Sequence, residues 1–132
     1  MVELLHKDLT SIIIAASFEV GNYLGTGFLE KVYENALKVE LELRGLLVET
    51  QKLIKVDYKG REVGLYQTDL LVNDTIIVEV KSTEKILSIH KAQIINYLKA
   101  TGLQVGLIIN FGNSKVEFER IVLIDKGHKK NR

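Results

Sequence analysis

Cysteine is absent from the 132-residue chain, which excludes a disulfide framework, a thiolate zinc site and a cysteine nucleophile. Histidine is scarce: His6, His90 and His128 are the three, and none sits beside a recognisable nucleophile motif, which argues against serine-type catalysis. No apolar run approaches the ~18 residues that a membrane-spanning helix requires. The run 12–16 is too short for a signal-peptide core and follows Glu3 and Asp8, so the expected location is cytoplasmic. Excess charge is lacking as well. With 18 Lys and Arg against 17 Asp and Glu, the net charge of +1 carries no global signature of nucleic-acid binding. The corner Gly25-Thr26-Gly27 lacks the lysine and hydroxyl spacing of a phosphate loop.

The charge that is present is unevenly spread. Residues 1–50 hold four Lys/Arg and eight Asp/Glu, whereas residues 51–132 hold fourteen and nine, so a polyanion should meet the second half. At 46% hydrophobic, the chain suffices for one core and is too short for two ordinary domains. One domain over residues 1–125 and a basic, frayed tail over 126–132 are expected. Helical periodicity runs through 3–24, ending at Gly25, and through 28–44, ending at Gly45. In the second helix Leu29, Val32, Tyr33, Ala36, Leu37 and Leu43 form the expected apolar side. Strand patterns follow at 46–49, 53–58 and 62–72, with Lys59-Gly60 as a turn. A further helix spans 88–101, and strands at 105–111 and 116–124 complete the order. The apolar run 105–111, reached by a crossover, should lie parallel to 76–80.

The densest chemistry lies in residues 69–81, Asp-Leu-Leu-Val-Asn-Asp-Thr-Ile-Ile-Val-Glu-Val-Lys. Two β-rich runs flank the turn formers Asn73 and Asp74, which predicts a hairpin. Alternation places Glu79 and Lys81 on one side of their strand and Val78 and Val80 on the other. The direction of Asp69 depends on the turn. A two-residue turn pairs Asp69 with Val78 and sends it to the face opposite Glu79; a three-residue turn pairs Asp69 with Glu79. Directly opposed carboxylates, with Cβ atoms only ~5 Å apart, repel unless a cation lies between them. Charged strand residues are most often solvated, but strand 76–80 is apolar on both faces apart from Glu79, the pattern of an interior strand. Two carboxylates converging beside a lysine suit a hard divalent ion and an attacking water in phosphodiester hydrolysis.

Two further sets of residues can face that hairpin. Glu30, in the first turn of the second helix, interacts favourably with the helix N-terminus and lies on the flank of the apolar face, able to look toward the sheet edge. His90, Gln93 and Tyr97 form one strip of the third helix at i, i+3 and i+7; the strip is either polar exterior or a lining of the carboxylate site. Lys52, Lys55, Lys59 and Arg61 read as a solvated face that can also steer phosphate backbones.

Asp69 followed by Glu79-Val80-Lys81 resembles the D…ExK core of the PD-(D/E)XK nuclease superfamily. Gly27-Phe28-Leu29-Glu30-Lys31-Val32-Tyr33 is similar to the motif naming the GxxExxY family of small bacterial and archaeal proteins. The stretch His90-Lys91-Ala92-Gln93-Ile94-Ile95-Asn96-Tyr97-Leu98 is similar to that family's later helix. The resemblance covers about residues 12–122, and Thr68 stands where the superfamily name has proline, a residue this chain lacks. It implies an α/β, restriction-endonuclease-like core with a mixed β-sheet flanked by helices, and a divalent-metal-dependent nuclease acting on DNA rather than RNA. Asp69 and Glu79 would then ligate Mg²⁺ or Mn²⁺, with the Val80 carbonyl as a third ligand and Glu30 contributing directly or through water. Lys81 would position or deprotonate the attacking water and stabilise developing phosphorane charge. Gln93 and Tyr97, with His90 on the same strip, would orient the lysine or bind phosphate. A homodimer would suit so small a nuclease acting on two strands. The alternatives are a non-catalytic nucleic-acid or protein-binding module on the same fold and a hydrolase of nucleotides or other phosphoesters.

Overall fold

A computed structural model describes residues 5–124, so the expected tail over 126–132 lies outside the described residues. Helix α1 (Lys7–Leu24) and helix α2 (Glu30–Leu43) come first. Strands β1 (Val48–Thr50), β2 (Leu53–Tyr58), β3 (Arg61–Gln67), β4 (Leu70–Val72) and β5 (Ile76–Lys81) follow, then helix α3 (Ser88–Thr101) and strands β6 (Val105–Asn110) and β7 (Glu117–Val122). Five strands form a mixed sheet in the order β1-β4-β5-β6-β7, with β5 and β6 parallel, as expected, and the other neighbours antiparallel. Strands β2 and β3 make a separate two-stranded sheet.

Alternation along the central strands divides the core into two layers. Val78, Val80, Leu107 and Ile109 pack with Ile13, Ala16, Tyr33, Leu37 and Leu41 of α1 and α2. Ile77, Leu71 and Ile108 point the other way and pack with Ile94 and Leu98 of α3. The sheet is therefore flanked by helices on both faces, and β5, buried from Ile76 through Val80, is its interior strand.

Two expectations need correction. The strand expected over 62–72 is two strands: β3 belongs to the outlying hairpin and β4 to the main sheet. The chain bends at Thr68 and Asp69, where the Thr68 N–H donates to the Lys52 carbonyl and the Gln51 N–H to the Asp69 carbonyl. Side-chain alternation continues across that bend, so periodicity alone does not mark it; the change is from the mostly exposed β3 to the fully buried β4. In α2 the buried face is Tyr33, Glu34, Leu37 and Leu41, whereas Leu29 and Leu43 are 81% and 77% exposed and Val32 is exposed too. Tyr33, Leu37 and Leu41 recur at every fourth residue with Glu34 beside them, and Val32 and Leu43 fall outside that stripe.

The connection from β5 to α3 is held by Asn110, which is fully buried at the end of β6. Its side-chain oxygen accepts the N–H groups of Thr83 and Gly112, and its amide donates to the Thr83 carbonyl and to Glu117. Gly112 passes directly against the Thr83 backbone, leaving no space for a Cβ. Gly112→Ala is therefore expected to lower stability by about 1–3 kcal/mol, the usual cost of overpacking. Urea unfolding would check it, and an unchanged midpoint would contradict this packing.

Candidate metal-dependent active site

The hairpin turn sets the geometry. Asn73 and Asp74 both have left-handed φ, and the Thr75 N–H closes the turn on the Val72 carbonyl at 2.9 Å. The register nevertheless pairs Val72 with Ile76 and Leu70 with Val78, leaving Thr75 as an extra residue. The loop thus has the hydrogen bond of a two-residue turn and the parity of a three-residue one. Asn73 further ties the turn to the approach to β1: its N–H donates to the Leu47 carbonyl and its side-chain oxygen accepts the Leu47 N–H.

Continuing that register one step past Leu70 brings Asp69 opposite Glu79. The Asp69 carboxylate accepts the Val80 N–H at 2.7 Å, and the Glu79 carboxylate accepts the Asp69 N–H at 3.4 Å. Glu79 is only 6% exposed. Burial, and then the charge of Asp69, push its pKa up to about 8, against the opposing effects of the nearby Tyr66 hydroxyl, the Asp69 N–H and the Lys81 charge. Burial also raises the Asp69 pKa; the Val80 hydrogen bond and Lys81 oppose that rise, and the charges of Glu34 and Glu30 add to it. Lys81 therefore lies within electrostatic reach of both carboxylates, yet it forms no ion pair with any described residue.

Glu30 reaches the site from the other layer of the sheet. The residue stands just after Gly27, which has a φ of 106°, and the corner before it is braced by Tyr33. The Tyr33 hydroxyl accepts the Phe28 N–H and donates to the Gly25 carbonyl, and its ring stacks on Phe111 at 4.8 Å. So supported, Glu30 accepts the Ser82 N–H at 3.3 Å, one residue beyond Lys81. Glu79 shares the face of Ile77, toward α3, whereas α2 lies on the opposite face; Glu30 meets the site only around the end of β5. In keeping with this, no three carboxylate or histidine side chains converge as a metal-binding group among the described residues. The donor set that is assembled, two opposed carboxylates and neighbouring backbone carbonyls, is all oxygen and fits a hard divalent ion.

The α3 strip is divided. The Tyr97 ring stacks on Tyr66 with 19° between planes. His90 Nδ1 accepts the Leu87 N–H at 3.0 Å, capping the helix. Burial and the charge of Lys81 lower the His90 pKa, and Glu30 opposes them, so the ring stands at the rim of the site. Gln93 is exposed and hydrogen-bonds to no described residue.

Sequence reasoning missed three residues. Glu34 is 5% exposed, accepts hydrogen bonds from Gln51 and Lys31, and is the charge that most raises the Asp69 pKa. Its spacing of four from Glu30 was the available signal. Gln51, with a left-handed φ of 53°, links Glu34 to the Asp69 carbonyl. Tyr66 lies within electrostatic reach of Glu79: its pKa is raised by burial and then by the Glu79 charge. Nothing in the periodicity of β3 distinguishes it.

Residues 7–121 match the family described as the PD-(D/E)XK nuclease superfamily. Among solved structures, the crystal structure of SSO0001 is similar with a TM-score of 0.55 and 18% sequence identity, over 91% of this chain and 60% of that one. At that identity the likeness shows the fold alone, and the chain spans 60% of the length of that protein. No curated protein matches the chain. With the mixed sheet in place and Asp69, Glu79 and Lys81 all inside the matched residues, the chain belongs to the PD-(D/E)XK nuclease superfamily.

Proposed function

We propose that the chain is a divalent-metal-dependent nuclease of the GxxExxY group that hydrolyses phosphodiester bonds, with DNA as the favoured substrate. One observation carries the reading: Asp69 and Glu79 oppose each other next to Lys81 at the end of a buried strand, with both carboxyls raised above their ordinary range. Two buried like charges with no cation between them are a destabilised arrangement, and a divalent ion relieves it. Superfamily members generally use divalent metals. Here Asp69, Glu79 and the Val80 carbonyl would hold Mg²⁺ or Mn²⁺, with Glu30 acting through water. When bound, the ion polarises the phosphodiester and offsets its negative charge. Lys81 positions the attacking water, and its ammonium faces the charge that develops on the phosphoryl oxygens. Tyr66, stacked on Tyr97 and near Glu79, would limit the movement of the Glu79 side chain, and His90 and Gln93 contribute at the rim. Residues 1–125 constitute the one domain needed, and a homodimer would offer a second site to the opposite strand.

A non-catalytic binding module on the same fold is the second reading. It is favoured by the lack of a three-carboxylate cluster among the described residues. Lys81 separates the two. In a nuclease, Lys81→Ala is expected to keep metal-induced stabilisation while lowering cleavage ~100-fold or more. In a binding module it flattens the salt dependence of nucleic-acid binding by about one unit and changes nothing else. Cleavage assays on linear, branched and single-stranded DNA with Mg²⁺ or Mn²⁺, beside a filter-binding salt series, decide it.

The raised carboxyl also has a signature in stability. The folded-state pKa of Glu79, about 8, lies above its ordinary value of 4.5, so the folded protein holds this proton more tightly than the unfolded chain does. The stability contributed is full below about 4.5 and is lost as pH rises through about 8. Metal-free protein is therefore expected to lose thermal stability between those limits, and Glu79→Gln to flatten that loss. Adding Mn²⁺ should raise Tm most at the alkaline end, and Asp69→Asn should abolish the rise. Melts in chelator and in Mn²⁺ at several pH values would check this; equal metal-induced shifts in Asp69→Asn and the parent would sink the ligand assignment.

A further inference from the structure

Beside the carboxylates, the β2–β3 hairpin leans over α3 and leaves a cleft of about 560 Å³ between them. Tyr66 and Tyr97 form one wall, and Lys55, Asp57, Asn96 and Lys99 supply its polar groups. The volume falls within the range of small-ligand sites. The hairpin and helix meet here through the tyrosine stack alone among aromatic contacts of the described residues, and the same Tyr66 lies within electrostatic reach of Glu79. The cleft and the candidate active site therefore share a wall.

The composition of that wall discriminates between occupants. A phosphate alone would call for cations, yet an amide and a carboxylate line the cleft together with the two lysines. Amides and carboxylates hydrogen-bond to base edges, aromatic rings stack on base faces, and lysines follow the strand backbone. A base still paired in a duplex exposes neither its face nor its pairing edge, so it could not enter between hairpin and helix.

We propose that this cleft binds an unpaired nucleotide next to the scissile phosphate, with its base stacked on the Tyr66–Tyr97 pair, its edge met by Asn96 and Asp57, and its backbone by Lys55 and Lys99. The proposal rests on the nuclease reading for its substrate class and deepens it: the preferred substrate is single-stranded, frayed or branched nucleic acid rather than continuous duplex.

The test is binding first, in chelator, so that no cleavage is needed. The probe is a labelled oligothymidylate of about 15 nucleotides, near the upper end of single-strand site sizes. It is compared by fluorescence anisotropy with the same strand carrying abasic units at its centre and with a blunt duplex of equal length. The parent is expected to bind the intact single strand about tenfold more tightly than the abasic strand, the scale of one lost stacking contact. Lys99→Glu and Asn96→Ala, both at exposed helix positions that folding tolerates, should each erode that preference. Equal affinity for intact, abasic and duplex probes, or a preference untouched by both variants, overturns the proposal. Cleavage with Mg²⁺ then separates the two readings. Metal-dependent cutting of duplex with no base-dependent binding removes the cleft assignment and leaves the nuclease standing. Base-dependent binding of the single strand without cleavage of any substrate does the reverse.

Discussion

The opposition of two carboxylates across the β4–β5 hairpin is the constraint on which the rest of the structure depends. It exists because one extra residue, Thr75, follows the turn at Asn73 and Asp74. Were Thr75 instead paired with Val72 in a regular two-residue turn, the register would shift by one and Asp69 would turn to the face of Val78 and Val80, into the layer filled by α1 and α2. The tethering of Asn73 to Leu47 on the approach to the edge strand β1 is thus tied to the chemistry, although it lies at the far end of the hairpin. Strand β5 makes the opposition costly, since its position between β4 and β6 buries everything from Ile76 to Val80.

Around that pair, each layer of the fold supplies a different kind of support. From α2 come Glu30 and Glu34, one helical turn apart, the first bonded to Ser82 and the second to Gln51. Their negative charges raise the Asp69 pKa, so they deepen the need for a cation. From α3 and the outlying hairpin come Tyr97 and Tyr66, which stack on each other and bring Tyr66 near Glu79 on the other face. The connection after Lys81 is pinned by Asn110, whose buried amide satisfies the backbone of Thr83 on both its polar groups. A buried amide with its hydrogen bonds made is rigid, and a rigid connection keeps Lys81 and Ser82 in register with Glu30.

Much of this was legible from residue order. The first helix, expected over 3–24 and found over Lys7–Leu24 with residues 3 and 4 outside the described residues, the helix over 88–101, the turn at Lys59-Gly60, the buried strand β5 and its parallel partner β6 follow from periodicity, glycine stops and apolar runs. Those signals are local, and each element obeys its own. The D…ExK spacing and the GxxExxY-like stretch were likewise readable, because they are statements about residue types at fixed intervals. The parity of the hairpin was not, since Asn-Asp followed by threonine is compatible with loops of two or three residues.

What the sequence by itself determined is most of the elements, though not the division of 62–72, and the presence of Asp69, Glu79 and Lys81 at the ends of neighbouring apolar runs. Only the tertiary structure decided how they face one another. The bend at Thr68 splits an alternating run that has no break in its pattern, because pairing with β2 and burial in the main sheet are long-range choices. The same bend frees β3 to carry Tyr66 over Glu79. Glu34 is buried near Asp69, the two joined through Gln51, because α2 packs against β1 and β5, which no interval within α2 encodes. A helix or strand is chosen by neighbours a few residues away, whereas the charge, burial and partners of a side chain depend on segments that meet only once the chain has folded.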